Sequence, residues 1–182
     1  PTSRSATATV TTIDRTGMGA LSAVLPPQPA VAPAEAVSLW RLWIDGTAAP
    51  NPGALGMGVV LEAPDGSTRR ESLRGRHGCS NAAELHALIH GLALARDAGI
   101  TALTIFSDSD FVVRHVGGEQ QTRSERLWEL VLDARKALHA FEHAELFWIP
   151  RHRNSEADTL ARGALGLAPK PANQPISRKR RP

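Results

Sequence analysis

One transition in the chain limits its fold more than any other. From Ala82 to Ala98 the apolar residues Leu85, Leu88, Ile89, Leu92 and Ala95 recur at spacings of three and four. That spacing predicts an amphipathic helix, and Gly99 is suited to end it. Thr101 to Ser107 (TALTIFS) follows at once and reads as a short, buried strand. A strand placed directly after a helix tends to return to the same sheet, by a right-handed crossover, beside a parallel neighbour.

That neighbour lies upstream. Leu39, Trp40, Leu42, Trp43 and Ile44 form an apolar run that stops at Asp45, and a turn-rich stretch with Asn51, Pro52 and Gly53 follows. The first strand is therefore expected over about 39–45. A second is expected over 56–62, then the turn Pro64-Asp65-Gly66, then a third over 68–76. Short turns make these three an antiparallel meander. Downstream, the pattern predicts a brief helix over 109–116, a long helix over 124–141, a fifth strand over 144–149 and a last helix over 154–165. The order is βββαβααβα. It is expected to form an α/β fold with a five-stranded mixed sheet in the order 3-2-1-4-5.

Composition sets the boundaries. At 182 residues and 42% hydrophobic, the chain can bury one core. Residues 1–37 are rich in Ala, Pro, Ser and Thr and predict a disordered leader. Residues 168–182 predict a disordered basic tail, which leaves 38–167 as the folded domain. The tail carries Lys170, Arg178, Lys179, Arg180 and Arg181 and no acid, while the leader balances Arg4 and Arg15 against Asp14 and Glu35. Of the net +3, the tail therefore holds +5 and the domain −2. A domain that grips nucleic acid by a basic face alone should not be acidic; one that gathers carboxylates can be. Cys79 is the only cysteine, so no internal disulfide forms. No apolar run reaches the ~20 residues that span a bilayer. The expected setting is cytoplasmic and the expected state a monomer.

Four carboxylates stand out. Asp45 ends the first strand and Asp108 directly follows the fourth. If these strands are parallel neighbours, both acids emerge at the end of the sheet where α/β folds place ligands. Glu84 lies at the edge of the apolar helix face, and Asp158 shares a stripe with Ala161 and Leu165. Each has a structural reading as well. Glu84 would close a capping box with Asn81, and Asp108 would cap the helix after Ser109. Asp158 would favour a helix N-terminus, and Asp45 would begin a turn. Those readings do not explain why all four fall where one sheet end can gather them. An all-oxygen set without cysteine suits Mg²⁺ or Mn²⁺ rather than zinc.

Four motifs, in order, carry a family resemblance: Asp45-Gly46-Thr47 with Asn51-Pro52-Gly53; Ser80-Asn81-Ala82-Ala83-Glu84-Leu85; Ser107-Asp108-Ser109; and Asn154-Ser155-Glu156-Ala157-Asp158-Thr159-Leu160-Ala161. Over about residues 40–166 the chain resembles type 1 ribonuclease H. The resemblance implies that Asp45, Glu84, Asp108 and Asp158 bind two Mg²⁺ or Mn²⁺ ions. It implies endonucleolytic hydrolysis of the RNA strand of an RNA–DNA hybrid, leaving 5′-phosphate and 3′-hydroxyl ends. It also implies that Gly46, Thr47, Asn51, Gly53, Asn81 and Ser109 face the substrate, with Asn51 and Asn81 near the ribose 2′-hydroxyl that separates RNA from DNA.

Departures from the pattern matter too. His152 stands where the family has a proton-shuttling histidine, but only five residues separate it from Asp158. It is either that shuttle or a surface histidine beside Arg151 and Arg153. Gly118 to Leu127 leaves no room for the basic helical handle that some relatives carry, so the chain resembles the minimal form. The tail could replace the handle's phosphate contacts, or be a solvated tail or localisation signal. His86 and His90, four apart on a helix, are expected to face solvent. Two other functions fit the same fold: a catalytically silent hybrid-binding module, and a proofreading-type exonuclease. The latter places an acid two residues after the first, where this chain has Thr47.

Overall fold

The computed structural model describes residues 39–170; the expected leader and the tail beyond Lys170 lie outside the described residues. Ten elements follow in order: β1 (Trp40–Ala49), β2 (Gly53–Glu62), β3 (Thr68–Gly78), α1 (Ser80–Asp97), β4 (Ala102–Ser107), α2 (Asp110–Val116), α3 (Glu125–Leu138), β5 (His143–Trp148), a 3₁₀ turn (Arg151–Arg153) and α4 (Ser155–Gly163). The strands form one sheet in the order β3-β2-β1-β4-β5. The β1–β2 and β2–β3 pairs are antiparallel, and β1–β4 and β4–β5 are parallel. The topology is the one expected from the strand and helix order.

Alternation along the strands sorts the side chains onto two faces. Leu42, Ile44, Leu103 and Ile105 pack with Leu85, Leu88 and Leu92 of α1 and with Val131 and Ala134 of α3 in one core. On the opposite face α4 lies directly on β2. A Cβ on Gly58 would fall 2.1 Å from the Ala157 carbonyl oxygen, and one on Gly56 2.1 Å from that of Ala161. Two glycines with the same facing thus set how closely α4 approaches the sheet. Gly58 pairs with Asp45, so this contact also brings the first turn of α4, with Asp158, to the middle of β1.

Several boundaries differ from expectation. β1 does not stop at Asp45. It runs to Ala49 because Gly46 to Ala49 continue the antiparallel ladder with β2 down to Ala54. Backbone pairing needs no apolar signal, and these small residues give none. Only the parallel pairing ends here, at Ile44 opposite Ser107. Asp45 therefore still emerges where β4 gives way to Asp108. α1 begins at Ser80 and α3 ends at Leu138, inside the expected 124–141. Gly99 follows α1 at φ +73°, as its place after a helix required. The α2–α3 connection contains no handle helix. No described helix is long and apolar enough to cross a membrane.

Candidate active site

Burial makes Asp45 the centre of this end of the sheet. It is 2% exposed. Burial first, and then the nearby negative charges of Asp108 and Asp158, push its carboxyl up to about 8. Arg151 and Lys170 offset part of that rise. Glu84 is raised well above the usual carboxylate range in the same way, by burial and then by Asp45 and Asp108. All four expected carboxylates therefore share one electrostatic neighbourhood.

The backbone sets the position of Glu84. Its Oε2 accepts a hydrogen bond from the Gly46 N–H at 3.0 Å. A Cβ on Gly46 would fall 2.1 Å from the backbone nitrogen of Glu84, so only glycine lets β1 and α1 meet this closely. The capping box offered as the alternative reading of Glu84 does not form. Cys79 occupies the N-cap of α1, Asn81 lies within the helix, and Glu84 turns toward β1. The cap expected of Asp108 belongs to Ser109, whose hydroxyl accepts from the Val112 N–H at 3.4 Å.

Asp108 and Asp158 have polar partners. Asp108 Oδ1 accepts from Asn154 Nδ2 at 2.6 Å, and its Oδ2 lies 3.9 Å from Arg151 Nε. Asp158 Oδ1 accepts from Lys170 Nζ at 2.7 Å and from the Arg151 guanidinium at 3.1 Å. Burial would raise the Asp158 carboxyl, but those two cations outweigh it and hold it below the usual range.

Asn154 is the residue at this site that the sequence does not single out. It is 2% exposed. It sits at the N-cap of α4 without capping it. Its Nδ2 instead reaches across to the Ile44 carbonyl at 2.9 Å and to Asp108. One amide thereby joins the end of the parallel β1 pairing, the loop after β4 and the start of α4. Its Oδ1 is buried with no hydrogen-bond partner among the described residues. Loss of a supporting hydrogen bond of this kind typically costs about 10–100-fold in metal affinity or activity. Asn154→Ala is expected to weaken Mn²⁺ binding within that range, measured by calorimetry. An unchanged affinity would show that Asp108 needs no such tether.

The expected substrate-facing residues divide. Asn51 Oδ1 accepts from the Ser80 N–H at 3.1 Å, tying the β1–β2 turn to the α1 N-terminus one residue from Asn81. Thr47 and Asn81 are half-buried and Asn51 is exposed. Gly46 and Gly53 are buried, and Ser109 is engaged as a cap. His152 lies exposed in the 3₁₀ turn, and no hydrogen bond or ion pair joins it to the carboxylates among the described residues. His86 and His90 are half-buried rather than facing solvent, and His90 Nε2 meets Glu71 Oε2 at 2.5 Å.

The donor set is chemically right for a hard divalent cation. It offers only carboxylate oxygens, two of them, Asp45 and Glu84, raised by desolvation and by their neighbours' charge, where a cation would relieve the repulsion. As placed, no three His, Cys, Asp or Glu side chains among the described residues close around one ion. Asp158 is turned to Arg151 and Lys170, and Asp108 to Asn154.

Residues 44–164 match a family model described as reverse transcriptase-like. A bifunctional protein of Mycobacterium tuberculosis is 33% identical over 126 residues, 68% of this chain; the chain spans 35% of that relative's length. The crystal structure of RNase H1 from Halobacterium salinarum superimposes with a TM-score of 0.68 at 30% identity, covering 70% of this chain and 98% of that one. LC11-RNase H1, solved in complex with an RNA/DNA hybrid, matches with a TM-score of 0.64 at 26% identity, over 70% of this chain and 96% of that one.

Proposed function

The chain belongs to the type 1 ribonuclease H family, and from that membership we propose that it hydrolyses the RNA strand of RNA–DNA hybrids endonucleolytically, leaving 5′-phosphate and 3′-hydroxyl ends. The observation that carries this reading is the shared neighbourhood of Asp45, Glu84, Asp108 and Asp158 where the β1–β4 parallel pairing ends. The hybrid-bound LC11-RNase H1 structure supports the choice of substrate.

Asp45, Glu84, Asp108 and Asp158 would hold the metal. Two Mg²⁺ or Mn²⁺ ions, when bound, supply an activated water and stabilise the leaving oxygen. The protein's own contribution is to position these groups. The Gly46 N–H fixes one oxygen of Glu84, and Asn154 fixes one oxygen of Asp108. Packing of α4 on Gly58 brings Asp158 to Asp45. Asn51 and Asn81, on the rim formed by the β1–β2 turn and α1, are the groups we assign to the 2′-hydroxyl of the RNA strand. His152, exposed on its short turn, is the group we assign to proton shuttling rather than to metal.

A matched set of labelled RNA–DNA, RNA–RNA and DNA–DNA duplexes with Mg²⁺ or Mn²⁺ tests this. Cleavage confined to the RNA strand of the hybrid is expected. Binding to the hybrid with no cleavage under either metal would replace the enzyme by a silent binding module. Stepwise removal of terminal nucleotides would replace it by an exonuclease.

A further inference from the structure

Beyond α4 the chain reverses. The Leu165, Gly166 and Leu167 N–H groups return to the Arg162 and Gly163 carbonyls. Gly166 takes the positive φ of +69° that such a reversal requires. Arg162 Nε then donates to the Ala168 carbonyl at 2.7 Å, holding the returning segment against the helix it has just left. Two residues later Lys170 Nζ meets Asp158 Oδ1 at 2.7 Å. Asp158 is five residues before the end of α4, so the strap runs back about 7.5 Å along the helix. The acceptor is a buried carboxylate, 8% exposed, and the lysine is 39% exposed. The ammonium thus comes from solvent to a fixed acid.

We propose that residues 164–170 form a strap that delivers the Lys170 ammonium to Asp158 as a built-in monovalent cation, which a divalent metal must displace. This rests on the assignment of Asp158 as a metal ligand. A divalent ion carries twice the charge and binds several oxygens at once, so it wins the carboxylate, but its apparent affinity falls by the cost of expelling the lysine. In metal-free protein the strap compensates charge at Asp158 together with Arg151; in loaded protein Lys170 is released at the mouth of the site.

The test is Mn²⁺ binding to the full chain, followed by calorimetry and by the electron paramagnetic resonance of free Mn²⁺. Lys170→Gln removes the ammonium. Arg162→Met keeps the lysine but frees its anchor. Both are expected to bind Mn²⁺ about 1.5- to fivefold more tightly than the parent, the range of a partly exposed ion pair. Lys170→Arg, which keeps the charge, is expected to stay near the parent. Metal-free Lys170→Gln should also melt below the parent, because Asp158 then relies on Arg151 alone. Unchanged or weaker Mn²⁺ affinity in both Lys170→Gln and Arg162→Met would overturn the strap. If affinity in Asp158→Asn still falls, that result leaves the metal site standing. A parent chain that takes up no Mn²⁺ would overturn the metal site and the strap together.

Discussion

Asp108→Asn is expected to abolish hybrid cleavage while leaving the fold intact. The substitution keeps the size of the side chain. Its amide oxygen can still accept from Asn154 Nδ2, which reaches Asp108 Oδ1 at 2.6 Å and also holds the Ile44 carbonyl. The tie between β1, the β4 loop and α4 therefore survives. What disappears is a negative charge that raises both Asp45 and Glu84, and with it one anionic metal ligand. Outer partners of metal ligands cost about 10–100-fold when removed, so loss of the ligand itself should exceed about 100-fold in kcat. Initial rates on a labelled hybrid at saturating Mg²⁺, with circular dichroism as the control for folding, decide it. A folded Asp108→Asn protein that keeps even a tenth of the parent rate would remove Asp108 from the reacting centre.

The sheet order was legible because its cues are local. Apolar runs mark β1 and β4, and the helix between them carries its own period, so the parallel pairing followed from the crossover rule alone. The end of β1 was not legible. Gly46, Thr47, Ala48 and Ala49 carry no apolar signal, and their pairing with β2 is written only in the backbone. At the site, the four carboxylates are legible as candidates gathered at one end of the sheet, but the groups that hold three of them are not. Glu84 three residues after Asn81 has the spacing of a capping box, yet its partner is the Gly46 N–H, 38 residues away. Asn154 opens the last expected helix with no cue to a distant partner, yet its amide spans 110 residues to Ile44. Lys170 reads as the first charge of a solvated tail, and only the reversal at Gly166 sends it to Asp158. Each miss concerns a side chain whose partner is set by tertiary packing. Residue type indicates what such a group can do, but not which neighbour it meets.

Asp45→Asn should separate the needs of catalysis from those of folding. Cleavage should vanish, as in Asp108→Asn, but the metal-free protein should become more stable. Asp45 is buried beside two other acids, and its carboxyl is pushed up to about 8, against about 3.9 in an unfolded chain. Between these values the folded state binds the proton and the unfolded state does not. Stability therefore falls as pH rises through this window. Glu84, raised for the same reasons, adds to the slope. Asp158, held below the usual range, acts with the opposite sign, but only at acid pH. At pH 8 an amide at position 45 removes a buried charge that repels two neighbouring acids, and each kcal/mol so recovered raises the melting temperature by about 2–8 °C for a domain of this size. The parent should lose melting temperature between pH 5 and pH 8 and recover it on adding Mg²⁺, because metal binds the charged, folded form. Asp45→Asn should show a shallower slope and little recovery. Scanning calorimetry over that range, with and without Mg²⁺, measures both. If Asp45→Asn melts no higher than the parent at pH 8, and the parent shows no loss across the range, then burial of Asp45 costs the fold nothing and metal is not what offsets it.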